Sequence, residues 1–164
     1  MNFDDIDIRQ VPVEQVLPLR TRVLRPNYDD GKWHRYHNDD HEQALHFAAF
    51  HTDDDQIVAV ISYMPEPLSI DGESAELRLR GMAVHETMRR RGIGSHLLSA
   101  TLTKVALHHP QHSRVWAAAR TAAIEFYEQH GFRPVGDLFH IPDAGEHRRV
   151  VRDLPTVLAA DAHS

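Results

Sequence analysis

From Met82 to Leu98 the chain runs through a short apolar stretch, then Arg89, Arg90 and Arg91 in succession, then Gly92, Ile93, Gly94 and Ser95 at the head of an apolar, helically spaced segment. This order of residue types suits an anion. The first amides of a helix have no intrahelical acceptor and carry the positive end of its dipole, so they bind phosphate oxygens directly. Gly92 and Gly94 lack a Cβ and let a ligand approach the backbone. The arginines beside them supply paired donors for phosphate, which makes a diphosphate the natural guest. A P-loop would need Gly-x4-Gly-Lys-Ser/Thr, and a dinucleotide fingerprint would need a third glycine where Leu97 stands. Nucleotide hydrolysis and nicotinamide chemistry are therefore poorly matched.

A second set of charged residues lies just upstream. With a period of two, Leu77, Leu79 and Ala83 fall on one face of a strand, and Glu76, Arg78, Arg80 and Met82 on the other. A charged stripe on a central strand is expected to line a cleft. Among 14 histidines, His34, His37 and His41 have a spacing that could place them on one helical face, but the segment lacks apolar periodicity. It reads as a polar loop and not as a metal site. Arg20, Arg22 and Arg25 read as a solvated basic set at the end of a helix.

The elements that must position these groups alternate. Phe3 to Val11 has strand alternation, and Val13 to Leu24 carries a helical stripe. Asn27 to Glu42 is a polar stretch, irregular or holding a short second helix. Ala44 to His51 and Gln56 to Tyr63 form a hairpin across an acidic turn, and Glu73 to His85 makes a third, longer strand. Ser95 to His108 is a helix, Arg114 to Ala119 a strand, and Ala122 to His130 a helix with Thr121 as N-cap and Gly131 just beyond it. Phe132 to Ile141 and His147 to Leu154 close as a hairpin. Residues 1–154 are expected to form a single domain, with a frayed tail over 155–164.

Composition bounds the chemistry. The 164 residues include 18 Lys plus Arg against 24 Asp plus Glu, a formal net charge of −6, which disfavours nucleic acid as a partner. The 41% hydrophobic content supports a core without a membrane-spanning run, and no membrane partner is expected. With zero cysteines there is no disulfide and no cysteinyl intermediate, and the cytoplasm is the default compartment.

The chain resembles the GNAT superfamily of CoA-dependent N-acetyltransferases. Its Arg/Gln-x-x-Gly-x-Gly/Ala signature matches Arg89-x-x-Gly92-x-Gly94, and Leu79 to Val84 looks like the family's fourth strand. Ala122 to Phe132 is similar to its Ala-x-x-Phe-Tyr-x-x-x-Gly-Phe segment. The resemblance implies an α/β (α+β) fold: a mixed, mostly antiparallel sheet of six to seven strands, flanked by about four helices and splayed between strands four and five. It implies acetyl-CoA as co-substrate, no metal, and a small-molecule or peptide amine as acceptor. The main chain of Met82, Ala83 and Val84 would pair with pantetheine. Arg89 through Ser95 would hold the pyrophosphate, with Phe126 and Arg120 nearby, although Arg120 stands where the family has asparagine.

Tyr127 would protonate the departing thiolate. Since the chain has no cysteine, the amine would attack the thioester directly. A glutamate that some members use as base is Arg78 here, leaving Glu76 as the nearest same-face base, while Arg78 and Arg80 could recognise an acidic group on the acceptor. The competing reading is a non-catalytic acyl-CoA-binding or sensor domain. A homodimer is possible by family habit.

Overall fold

The computed structural model describes residues 3–29 and 31–156, so most of the tail expected to fray lies outside the described residues. Seven strands form one sheet in the order β1-β2-β3-β4-β5-β7-β6. They are β1 (Ile6–Val11), β2 (Leu45–His51), β3 (Gln56–Ile70), β4 (Glu73–Val84), β5 (Arg114–Arg120), β6 (Arg133–Ile141) and β7 (Gly145–Asp153). The described helices are α1 (Val13–Leu24), α2 (Ile93–His108) and α3 (Ile124–Gln129), with 3-10 turns at Glu86–Met88 and Thr121–Ala123. Among the described residues there are three α-helices where about four were expected, and the difference lies in Asn27–Glu42. That polar stretch has no apolar stripe to bury and forms turns instead of a second helix.

The chain divides into two compact units, Met1–Met64 with Arg80–Ala100, and Pro65–Leu79 with Thr101–Ser164. In the first, β1 and β2 pair antiparallel from Ile6↔His51 to Val11↔His46, and β2 pairs with β3 across a bulge at Ala49/Phe50. With a neighbour on each side, the first six residues of β2 are all buried. The α1 stripe of Val13, Val16 and Leu17 packs with Ala48, Phe50, Val60 and Ala83. The helix ends where the Arg25 N–H reaches Thr21 O at 2.8 Å, one residue ahead of Pro26, which cannot continue it.

In the second unit β4 and β5 run parallel, at Leu77↔Val115 and Arg78↔Trp116, and β7 lies antiparallel between β5 and β6. Here β3 runs on past Tyr63 through Pro65, Glu66 and Pro67. The fixed φ of proline suits extended chain, and its carbonyl and its neighbours' carbonyls stay usable. The helix expected over Ala122–His130 begins instead as a 3-10 turn at Thr121, and Ala123, not Thr121, occupies the cap of α3. Its far end is a Schellman motif: Phe132 N donates to Tyr127 O (3.1 Å) and Gly131 N to Glu128 O (3.1 Å), with Gly131 at φ +85°.

One backbone position in β4 is fixed by both conformation and space. Gly81 has φ +72°, and a Cβ there would lie 2.5 Å from Arg20 Cδ and 3.0 Å from Tyr36 Cε2. Gly81→Ala is therefore expected to destabilise the fold by about 2–4 kcal/mol, combining left-handed strain with overpacking. A urea midpoint unchanged from wild type would contradict this.

Candidate active site

In the first unit, β4 delivers Met82, Ala83 and Val84 to a turn. His85 N donates to Val58 O (2.8 Å), closing the strand, and the His85 ring nitrogen accepts from Thr87 N (3.2 Å). Arg89 Nε then reaches back to Val84 O at 3.4 Å. Arg90 and Gly92 both have positive φ, +64° and +79°, so the chain doubles back twice before α2 begins. His96 N donates to Gly92 O (3.0 Å), and the amides of Ile93 and Gly94 lie ahead of that bond at the positive end of a 16-residue helix. Arg89, Arg90 and Arg91 are exposed, Ile93 is buried, and Ser95 is half-buried. The Phe3 ring stacks on His96 with centroids 4.3 Å apart and stands 3.4 Å from where a Gly92 Cβ would be. A backbone turn without Cβ bulk, edged by three guanidinium groups, fits a diphosphate.

The same unit contains a buried polar cluster that the sequence reading missed. Arg20, expected to face solvent, is 2% exposed. It forms a two-point ion pair with Asp39, at 3.0 Å (Nη1–Oδ1) and 2.5 Å (Nη2–Oδ2). Asp39 Oδ2 also accepts from Tyr36 N at 2.6 Å, and the Tyr36 ring lies 4.2 Å from Arg20 Cζ and 3.8 Å from Arg80 Cζ. His46 is buried, with Nδ1 2.6 Å from Ser62 Oγ and Nε2 3.0 Å from Asp39 O. Of the three spaced histidines, His34 packs edge-on against Tyr28 and Tyr36, His41 accepts from Gln43 N at 3.0 Å, and His37 is exposed. Among the described residues, no group of three or more His, Cys, Asp or Glu is arranged to hold a metal.

Burial pushes the His46 imidazole below its ordinary value, outweighing the hydrogen bond to Asp39 O. The unfolded chain therefore takes up this proton at a higher pH than the folded one. Stability from a neutral His46 is complete above the ordinary histidine range near pH 6.5 and is lost as pH falls through the depressed folded value. Urea midpoints are expected to fall between pH 7.5 and 5.5, and His46→Gln is expected to flatten that slope.

In the second unit, Tyr127 on α3 is 8% exposed, its ring edge-on to Phe132 (5.2 Å) and to Phe126 (5.4 Å). Phe126 is half-buried against His130, and Arg120 is exposed where β5 gives way to the Thr121 turn. Glu76 is exposed and accepts from Ser113 Oγ and Arg114 N, both at 3.3 Å. Arg78 pairs with Glu66, not with Glu76: Nη1 lies 2.6 Å from Glu66 Oε2, and the guanidinium sits 4.5 Å over the Trp116 ring. Trp116 Nε1 donates to Glu66 O at 2.7 Å. Glu66 escaped the sequence reading because β3 was expected to end before it.

The sequence model described as "Acetyltransferase (GNAT) family" matches residues 13–132. The chain belongs to the GNAT family. It is similar to the uncharacterised N-acetyltransferase YitI of Bacillus subtilis, with 29% identity over 151 residues that cover 92% of this chain and 98% of that one. Among solved structures it is similar to Escherichia coli ElaA, with TM-score 0.69 and 21% identity, covering 90% of this chain and 99% of the other. It is also similar to an aminoglycoside 6'-N-acetyltransferase complexed with coenzyme A, with TM-score 0.66 and 16% identity, covering 93% and 99%. The GNAT match spans the arginine-glycine turn and α3, and the chemistry of the family is acyl transfer. No described helix is long and apolar enough to cross a membrane.

Proposed function

We propose that residues 1–154 act as one N-acetyltransferase domain that moves the acetyl group of acetyl-CoA directly onto a primary amine. The observation that carries this reading is the turn at Arg89–Ser95, where two positive-φ residues and three exposed arginines lead into the amides of α2. In this reading Arg89, Arg90, Arg91, Gly92, Ile93, Gly94 and Ser95 hold the pyrophosphate, and the main chain of Met82, Ala83 and Val84 pairs with pantetheine. The same reading assigns Phe126 and Arg120 to cofactor binding. The acceptor approaches as a neutral amine, since a protonated one has no lone pair to attack the thioester. Glu76 takes the amine proton, the nitrogen–acetyl bond forms as the carbon–sulfur bond breaks, and Tyr127 protonates the leaving thiolate. A Glu76→Gln variant with full rate would move the base role to Glu66 or to water.

Acceptor choice belongs to the segment after α1. There Tyr28 and Trp33, 41% and 49% exposed, line a hollow of about 500 Å³ with Glu14, Leu17, Lys32 and Arg35. The test is calorimetric titration with CoA, followed by a thiol-release screen with acetyl-CoA against amino acids, polyamines, aminoglycosides and peptides. Micromolar CoA binding together with thiol release dependent on one amine class is the expected result. Binding without release from any amine would make the chain an acyl-CoA sensor, and no heat at millimolar CoA would remove the reading altogether.

A further inference from the structure

We infer that Phe3 is a positioning residue for CoA: stacked on His96 and packed against Gly92, it holds the Arg89–Ser95 turn in the shape that receives the diphosphate. The inference rests on the acyl-transfer reading and adds to it a residue far in sequence from the turn it serves.

The turn needs outside support. Arg90 and Gly92 both sit at positive φ, +64° and +79°, and a non-glycine residue such as Arg90 stays there only where its surroundings fix it. Arg89, Arg90, Arg91 and Gly92 are all exposed. Arg89 Nε ties the start of the turn to Val84 O at 3.4 Å, and His96 N ties its end through Gly92 O at 3.0 Å. Those two bonds are local. Among the described residues, Phe3 Cζ is the only heavy atom beyond the chain neighbours of Gly92 within 4 Å of where its Cβ would be, at 3.4 Å.

A fixed backbone presents the ring. Phe3 O accepts from Ile6 N (3.0 Å), closing a turn into β1, and Asp5 O accepts from Thr52 N (2.9 Å) just past the end of β2. Ile6 is itself buried and registers with His51. From this anchor the Phe3 ring lies parallel to the His96 imidazole, with 5° between planes and 4.3 Å between centroids. His96 belongs to the first turn of α2. One ring therefore braces the last residue of the arginine turn and the start of the helix together, and ties both to the edge of the sheet. All of these residues belong to the first compact unit.

The brace acts on the direction of the Ile93 and Gly94 amides. They hold an anion well when they already point together, whereas a turn that samples other shapes must be ordered by the ligand, which lowers apparent affinity. The Phe3 side chain brings neither charge nor hydrogen-bond donor. Its contribution is to the population of the binding shape, not to a bond with phosphate.

The test is calorimetric titration of CoA and of dephospho-CoA onto the full chain and its variants, with melting temperatures measured alongside. Phe3→Ala is expected to weaken both ligands by about three- to tenfold, the range one aromatic stack supplies, with the melting temperature little changed. Phe3→Tyr keeps the ring and should bind as wild type does, while Phe3→Leu keeps bulk without a stack and should fall between. His96→Leu should lose as much as Phe3→Ala, and the double variant no more than either alone, since each removes the same contact. Losses that multiply in the double variant, or His96→Leu at wild-type affinity, would make Phe3 a direct ligand contact and overturn the inference. So would a loss seen with CoA and absent with dephospho-CoA, which would place the effect at the 3′-phosphate. A melting temperature that falls in step with affinity would assign Phe3 to folding alone. Unchanged CoA binding in Phe3→Ala overturns this inference and leaves the acyl-transfer reading standing, whereas no heat from the wild-type chain at millimolar CoA removes both.

Discussion

Asp39→Ala is expected to remove about 3–5 kcal/mol of folding stability, because it strands a buried guanidinium. The side chains of Arg20 and Asp39 are 2% and 0% exposed. Both carboxylate oxygens are in use, Oδ1 by Arg20 Nη1 and Oδ2 by Arg20 Nη2 and Tyr36 N. Arg20 Nε is already buried without a hydrogen-bond partner. Truncating Asp39 leaves the whole cation unmatched where water cannot reach it, and frees the backbone of Tyr36 as well. In a chain of this size each kcal/mol moves the melting temperature by about 2–4 °C, so a fall of roughly 10 °C is the expected reading. The double variant Arg20→Met, Asp39→Leu should recover much of that loss, since removing both charges also removes the desolvation cost. A fall below about 2 °C in Asp39→Ala would mean that water reaches the pair after all.

This ion pair shows what a sequence conveys and what it withholds. The arginine-glycine turn was legible because its parts are contiguous: strand end, arginines, glycines and helix follow one another within Met82–Leu98, and local physics suffices to read them. Helix α1 was legible for the same reason, its apolar period running over Val13–Leu24 with the bounds the structure shows. Arg20 was misread as solvated, yet its position carried a signal. It lies seven, four and three residues after Val13, Val16 and Leu17, on the buried stripe, whereas Arg22 lies off it and is exposed. A charge on an apolar stripe needs a buried partner. Nothing in the sequence says that the partner is Asp39, 19 residues on in a stretch of turns.

Glu66 was hidden by a different cause. Pro65 and Pro67 look like strand breakers, and only the fold shows β3 extended through them, with the Glu66 carboxylate on Arg78. Strand alternation placed Glu76, Arg78, Arg80 and Met82 on one face of β4, and burial follows it: Leu77, Leu79 and Ala83 are buried while those four are not. Alternation alone says nothing of the long-range contacts on that face, the Glu66 carboxylate on Arg78 and the Tyr36 ring beside Arg80.

Tyr127→Phe is expected to lower kcat by about a hundredfold or more while leaving both KM values within about twofold, if the phenol supplies the proton to the leaving thiolate. The variant is a clean probe because the ring is held by packing. It sits edge-on to Phe132 and Phe126, and the Tyr127 carbonyl is fixed by His130 N (2.9 Å) and Phe132 N (3.1 Å) in the turn that ends α3. Removing one hydroxyl leaves those contacts in place, so the melting temperature should move little. Tyr127→Ala separates the two roles of the residue: it should lose the same catalytic factor and, in addition, about 3–5 kcal/mol of stability from the cavity left by the ring. Steady-state kinetics and urea unfolding of the two variants side by side decide the matter. Were the ring only core packing, Tyr127→Phe would turn over at the wild-type rate and only the alanine variant would suffer. That pattern would assign proton delivery to water and confine Tyr127 to holding α3 against Phe132.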